Sequence, residues 1–219
     1  MRERAVVAFT VALLLAGAAQ ASTTISTLEL ENDAVFPWGL PDTAAYGQTF
    51  TLSGPAALNE VRFRIDDQGD SITFTAYLFG WSGTTVSGGA LGTVGGSTAG
   101  VDGMETVTVD FAGVSLAAGQ YLAFLQATSS PASGARWGIV VESDPYADGL
   151  FVYQNNGGDT NLFTSAWNRD FPDGGSDLAF SISFESLDIG VIPLPGGLPL
   201  LLGALGLFGL AARRRRHTG

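Results

Sequence analysis

What most constrains this chain is an alternation of apolar and polar residues in short runs, broken by turns and never giving way to helical spacing. In Leu58–Ile65, Val61, Phe63 and Ile65 fall on one side of an extended backbone and Arg62 and Arg64 on the other, the signature of a half-buried strand. Ile72–Trp81 sets Ile72, Phe74, Ala76 and Leu78 against Thr73, Thr75, Tyr77, Phe79 and Trp81, and Glu105–Phe111 alternates Val107, Val109 and Phe111 with Thr106, Thr108 and Asp110. Further runs at Tyr46–Leu52, Gln120–Gln126, Trp137–Val141, Leu150–Tyr153 and Leu178–Phe184 bring the expected strands to eight. The links carry turn residues, as in Asp66-Asp-Gln-Gly-Asp70, Asn155-Asn-Gly-Gly158 and Pro172-Asp-Gly-Gly175, where Gly supplies positive φ and Asn or Asp bonds its own backbone. Eight short strands with no helix between them predict an all-β fold, an antiparallel β-sandwich of jelly-roll type. The Gly-, Ser- and Thr-rich stretch Ser82–Gly103 reads as an exposed connection within one domain. No internal repeat is visible.

Composition narrows the chemistry. The chain has no cysteine and no lysine, and its one histidine is His217. No Ser-His-Asp triad, thiolate zinc site or Schiff-base lysine can therefore be assembled in residues 22–187. Between Ser22 and Ile192 stand four arginines (Arg62, Arg64, Arg136, Arg169) and twenty acidic residues, a net charge of −16. Such a field repels nucleic acid and keeps an exported protein soluble. Carboxylate chemistry survives, since a glycoside hydrolase needs only a pair of Asp or Glu residues; here, though, the acids cluster in turns, where Asp serves turn geometry. Asp66, Asp67 and Asp70 offer oxygens to calcium in a tight loop without the ligand spacing of an EF-hand, and a polar hairpin turn is the favoured reading of them. Trp81, Trp137, Tyr153 and Trp167 lie near strand ends. A ring there can stack on a sugar while Asn155, Asn156, Asp159 and Arg169 bond its hydroxyls, or it can cap the sandwich core.

Both ends of the chain read as addresses. Met1-Arg-Glu-Arg4 is a basic start, Ala5–Ala16 is apolar, and Ala19-Gln-Ala21 before Ser22 fits the small-x-small rule of signal peptidase. We expect residues 1–21 to be a signal peptide read by the secretory translocon, with the mature chain starting at Ser22. Residues 188–219 hold three parts in order: Ile192-Pro-Leu-Pro-Gly196, an apolar stretch, and Arg213, Arg214, Arg215 and Arg216. Leu198–Ala212 contains only Pro, Leu, Gly, Ala and Phe, and the arginines would stop transfer and stay cytoplasmic. A helix over that stretch is about 22 Å long against about 30 Å of hydrocarbon, so a transmembrane helix over 194–212 is a short anchor. Pro193, Pro195 and Pro199 keep its entry extended and open to a protease.

Ile192-Pro193-Leu194-Pro195-Gly196, the apolar stretch and the arginine run together resemble the PEP-CTERM class of bacterial sorting signals, in its VPLPA-CTERM variant. Ile192 stands where that pattern has Val, and Gly196 where it has Ala. The resemblance implies a substrate of an exosortase-like membrane protease in a Gram-negative bacterium. Such a protein is exported, held in the membrane by its C-terminal helix, then passed to the cell surface or extracellular matrix. The body, residues 22–187, is similar to a recurrent bacterial surface domain through Tyr46-Gly-Gln-Thr-Phe50, Phe74-Thr-Ala-Tyr-Leu-Phe-Gly-Trp81, Ala118-Gly-Gln-Tyr-Leu-Ala-Phe124 and Asp177-Leu-Ala-Phe180. That likeness carries no settled activity. A non-enzymatic surface protein is expected, with a carbohydrate-binding module facing extracellular polysaccharide, or a carboxylate-based glycoside hydrolase, as the alternative.

Overall fold

The computed structural model describes residues 22–129, 134–141, 143–155, 160–169 and 175–187. Within them the period-two runs become strands of two antiparallel sheets. In the first sheet β4 (Ala56–Asp66) is flanked along its length by β7 (Glu105–Leu116). Its other side is shared by β12 (Phe180–Ser186) and, at Ile65 and Asp66, by β9 (Ala135–Val140). β1 (Ser22–Ser26) pairs with β12, and β2 (Asp33–Trp38) and β11 (Asp177–Leu178) pair with β9. The second sheet runs β10 (Phe151–Gln154), β3 (Ala45–Leu52), β8 (Gly119–Ala127), β5 (Thr73–Trp81), β6 (Val86–Ser97).

The sheets pack face to face as a β-sandwich. Val61, Phe63 and Ile65 of β4 meet Phe50 of β3, Leu78 of β5 and Leu125 of β8 in one core, with Trp38, Trp137, Phe151 and Phe180 fully buried among them. Alternation assigns the faces: on β8, Tyr121, Ala123 and Leu125 point into this core, whereas Leu122 and Phe124 belong to a second cluster. That cluster lies on the outer face of the second sheet, with Phe79, Trp81 and Val152. The chain after β10 folds back over it. A short 3-10 turn, Thr160–Phe163, seats Leu162, and Trp167 follows; the Trp167 indole N–H donates to the Leu162 carbonyl at 3.1 Å and its backbone N–H to Thr84 O at 2.9 Å. A sheet apolar on both faces is thus covered on both.

Three strands lie outside the eight expected, β1, β2 and β6, and the expected run Leu178–Phe184 divides into β11 and β12. The largest correction is β6, because Ser82–Gly103 is not a connection but contains the outermost strand of the second sheet. Its glycines hide the pattern. A Cβ at Gly92 would stand 2.6 Å from Phe111 Cδ1, and one at Gly96 2.6 Å from Phe74 Cζ, so neighbouring rings fill the space that β6's own side chains would take.

Candidate functional site

The β2–β3 end of the sandwich holds a recess of about 170 Å³. β2 makes one of its walls because of a bulge: Val35 pairs with Trp137 and Trp38 with Ala135, so three steps along β2 match two along β9. Phe36 and Pro37 occupy the excess; Pro37 has no N–H to give the ladder, and Phe36 is turned outward with 62% of its surface exposed. The Arg136 guanidinium sits 5.4 Å from the centre of the Phe36 ring, a cation–π distance.

The floor is Tyr46, which stands edge-on to Trp137 at 5.6 Å and to Phe151 at 5.3 Å. Its hydroxyl donates to the Pro37 carbonyl at 3.1 Å. Burial raises its pKa far above the ordinary phenol range, and the nearby Asp42 charge adds to this while a hydrogen bond from Thr43 opposes it. The phenol is a neutral donor at any physiological pH. Asp42, Thr43, Tyr153 and Asn155 complete the lining. The recess combines flat rings with a carboxylate, a hydroxyl and an amide, a set that can hold a polyhydroxylated ring by stacking and hydrogen bonding.

A second, wider groove of about 350 Å³ includes Trp81, Gln120, Asp148 and Arg169. The sugar-stacking candidates are therefore not one constellation: Tyr153 and Asn155 meet at the recess, and Trp81 and Arg169 meet at the groove. Trp81 is only 8% exposed and presents little ring surface. Trp137 is fully buried, 4.9 Å from Phe63 and 5.1 Å from Trp38, and Trp167 lies 4.8 Å from Phe124 under the returning chain. Neither has a face free for a ligand. Both do what the core-capping alternative describes, and Trp137 Nε1 is a buried donor without a hydrogen-bond acceptor among the described residues.

The Asp66–Asp70 turn directs its oxygens to the backbone. Asp67, fully buried, accepts from Gly69 N at 3.1 Å and Gly100 N at 2.6 Å. Asp66 accepts from Gln68 N at 3.0 Å and Gly103 N at 3.1 Å, and its other oxygen from the Gln68 amide. These carboxylates tie the β4–β5 and β6–β7 connections together, and Gln68 and Gly69 take positive φ to allow it. Among the described residues no three His, Cys, Asp or Glu side chains converge as a metal site. Asp70 belongs to the same turn.

Ser22 is the first residue of β1. Ala19 and Ala21, Asn156, Asp159, the sorting motif Ile192–Gly196 and Arg213–Arg216 lie outside the described residues. Among the described residues no helix is long and apolar enough to cross a membrane. Phe36, Asp42, Thr43 and Tyr46 were not singled out by sequence reasoning. Phe36-Pro-Trp38 followed by Gly39-Leu-Pro41 is the visible signal, one proline inside a strand beside large rings and a second in the turn that follows it.

No family model matches the chain, and no curated protein matches it. Among solved structures, the Clostridial cysteine protease Cwp84 after propeptide cleavage is similar over 75% of this chain and 40% of its own, at 10% sequence identity and a TM-score of 0.48.

Proposed function

We propose that this is an exported bacterial surface or extracellular-matrix protein of the PEP-CTERM (VPLPA-CTERM) sorting class, a non-enzymatic β-sandwich of jelly-roll type that an exosortase-like protease processes at its C-terminus. The observation that carries the reading is the order of Ile192-Pro-Leu-Pro-Gly196, an apolar stretch and Arg213–Arg216. The boundaries of the sandwich support it. β12, the last strand among the described residues, ends at Ser186, ahead of the proline motif. Leu187 N still bonds Pro55 O at 3.0 Å, so the described strands are all tied in upstream of the motif. Replacing Pro193 and Pro195 with Ala leaves the protein full-length in membrane fractions, read by the C-terminal mass of protein recovered from cells. Processing and release equal to the parent's would defeat the sorting reading.

A second reading is favoured by the recess at Phe36, Tyr46 and Tyr153: the body binds extracellular polysaccharide. Retention on the producer's own polysaccharide should fall in Phe36→Ala and Tyr153→Ala proteins. New reducing ends during that incubation would reassign the body as a hydrolase, and no retention of the parent would remove the binding reading.

A further inference from the structure

Sheets end in strands whose outward N–H and C=O groups lack a ladder partner, and soluble proteins guard such edges with charge, proline or short length. β6 has none of these protections. Among the described residues it is the terminal strand of the second sheet and pairs only with β5, and it runs from Val86 to Ser97. A bulge interrupts its first half, after which Gly92–Ser97 pairs regularly with Leu78–Thr73. From Ser82 to Val101 there is no charged residue and no proline.

Neutrality of that length is notable in a body of net charge −16. β7, the corresponding edge of the first sheet, carries Glu105 and the exposed Asp110. The outward side chains of the regular half of β6 are Thr93, Gly95 and Ser97, all exposed and small, and Leu91 just before them is 45% exposed. The inward positions Gly92 and Gly96 are closed by the Phe111 and Phe74 rings. The regular half of β6 is thus packed by rings on its inner face and carries only small side chains on its outer one.

We propose that β6 is a self-association edge, on which a second copy of this chain adds its own β6 in antiparallel pairing, joining two five-stranded sheets into one. Charge selects the occupant. Two bodies this acidic repel each other wherever their carboxylates face, and they approach at least cost along β6, the longest neutral edge strand among the described residues. Antiparallel pairing of a strand with its own copy is isologous, so one edge satisfies both partners and the contact closes as a dimer.

The absence of cysteine makes the test direct. Single substitutions Leu91→Cys, Thr93→Cys, Gly95→Cys and Ser97→Cys in the full chain, with Thr108→Cys on β7 as control, are treated with a short thiol-specific cross-linker in cells and run on a denaturing gel. At least one β6 position should give several-fold more homodimer than Thr108→Cys. Adding Leu91→Glu to the best-linking variant should abolish that excess while its melting temperature stays near the parent's. Homodimer no greater than at β7, an excess insensitive to Leu91→Glu, or cross-linking to a different protein instead would each overturn the proposal. If Leu91→Glu lowers the melting temperature, Thr93→Glu, fully on the outward face, takes its place with the same criterion.

Discussion

Asp177 shows how much one residue can hold together. Its side chain, fully buried, receives the Gln48 amide N–H at 2.7 Å on one oxygen and the Tyr146 backbone N–H at 3.0 Å on the other, while Gln48 Oε1 accepts from Leu178 N at 2.9 Å. The pair joins β3 of one sheet to β11 of the other. Burial pushes the carboxyl from 3.8 up to about 6, against those two hydrogen bonds and with help from the Asp144 charge. A folded pKa above the unfolded one means that the native state binds more protons between those values. This group's contribution to stability is therefore fully present below pH 4 and lost as pH rises to 6, on the order of 3 kcal/mol at most. In Asp177→Asn that part of the slope should vanish, so the unfolding free energies of parent and variant from urea titrations should converge by this amount as pH rises from about 4 to about 6; parallel curves would refute the assignment. At neutral pH the variant should also be weaker by about 1–3 kcal/mol, because an amide N–H then faces a donor. Gln48 was legible as an anomaly, a polar side chain in phase with Tyr46, Phe50 and Leu52 on the inward face. Its partner was not, because nothing local to either residue links two positions so far apart in the chain.

At the scale of elements, alternation identified a strand wherever its own side chains carried the pattern. Val61, Phe63 and Ile65 needed no context, and β4 is where they placed it. β6 failed the same reading for a physical reason: of the inward positions in its regular half only Val94 carries an apolar side chain to the core, while Gly92 and Gly96 on either side of it are glycines covered by Phe111 and Phe74. The outer cover of the second sheet was equally hidden. Phe79, Trp81 and Phe124 lie on the face that alternation reserves for solvent, and what covers them is Leu162 and Trp167 from an irregular segment. If that segment is a structural cover, Trp167→Ala should cost about 3–5 kcal/mol, the range for deleting a large buried ring, and should expose a dye-binding apolar face. Gln154, whose amide donates to Ala166 O at 2.9 Å, holds the same stretch from the strand side. A denaturation midpoint within error of the parent's would mean that the segment is a loose loop and the outer cluster carries little energy. The recess was partly legible, in Tyr153 and Asn155, and its other half was not, because the bulge that turns out Phe36 is a property of β2 against β9 and neither strand shows it alone.

The whole molecule has to fold against its own charge. Of the four arginines between Ser22 and Ile192, Arg62 pairs with Glu60 at 2.6 Å and Arg64 with Glu31 at 3.1 Å, and these partly exposed pairs add little stability. They leave the acidic excess almost untouched. No disulfide resists expansion, so cohesion rests on the inter-sheet core, the outer cluster and the buried polar ties at Asp67 and Asp177. Like charges spread over a compact body raise the energy of the folded state more than that of the expanded chain, where they stand farther apart. Salt relieves the difference: the screening length falls from about 30 Å at 0.01 M to about 8 Å at 0.15 M, from beyond the width of such a domain to well inside it. Raising sodium chloride across that range should therefore stabilise the protein by about 1 kcal/mol, a rise in melting temperature of roughly 2–4 °C for a domain of this size. Sodium sulfate strengthens apolar burial as well as screening, so only an ionic-strength series in chloride isolates the charge term. Arg136 and Arg169 give the sign a second check. Replacing either with Gln deepens the acidic excess and should lower the melting temperature more at 0.01 M than at 0.15 M, whereas a packing defect would cost the same at both. Stability that falls or stays flat as chloride rises would show that the carboxylates are already neutralised by bound counter-ions, and the acidic surface would then be a cation-binding one rather than a source of repulsion.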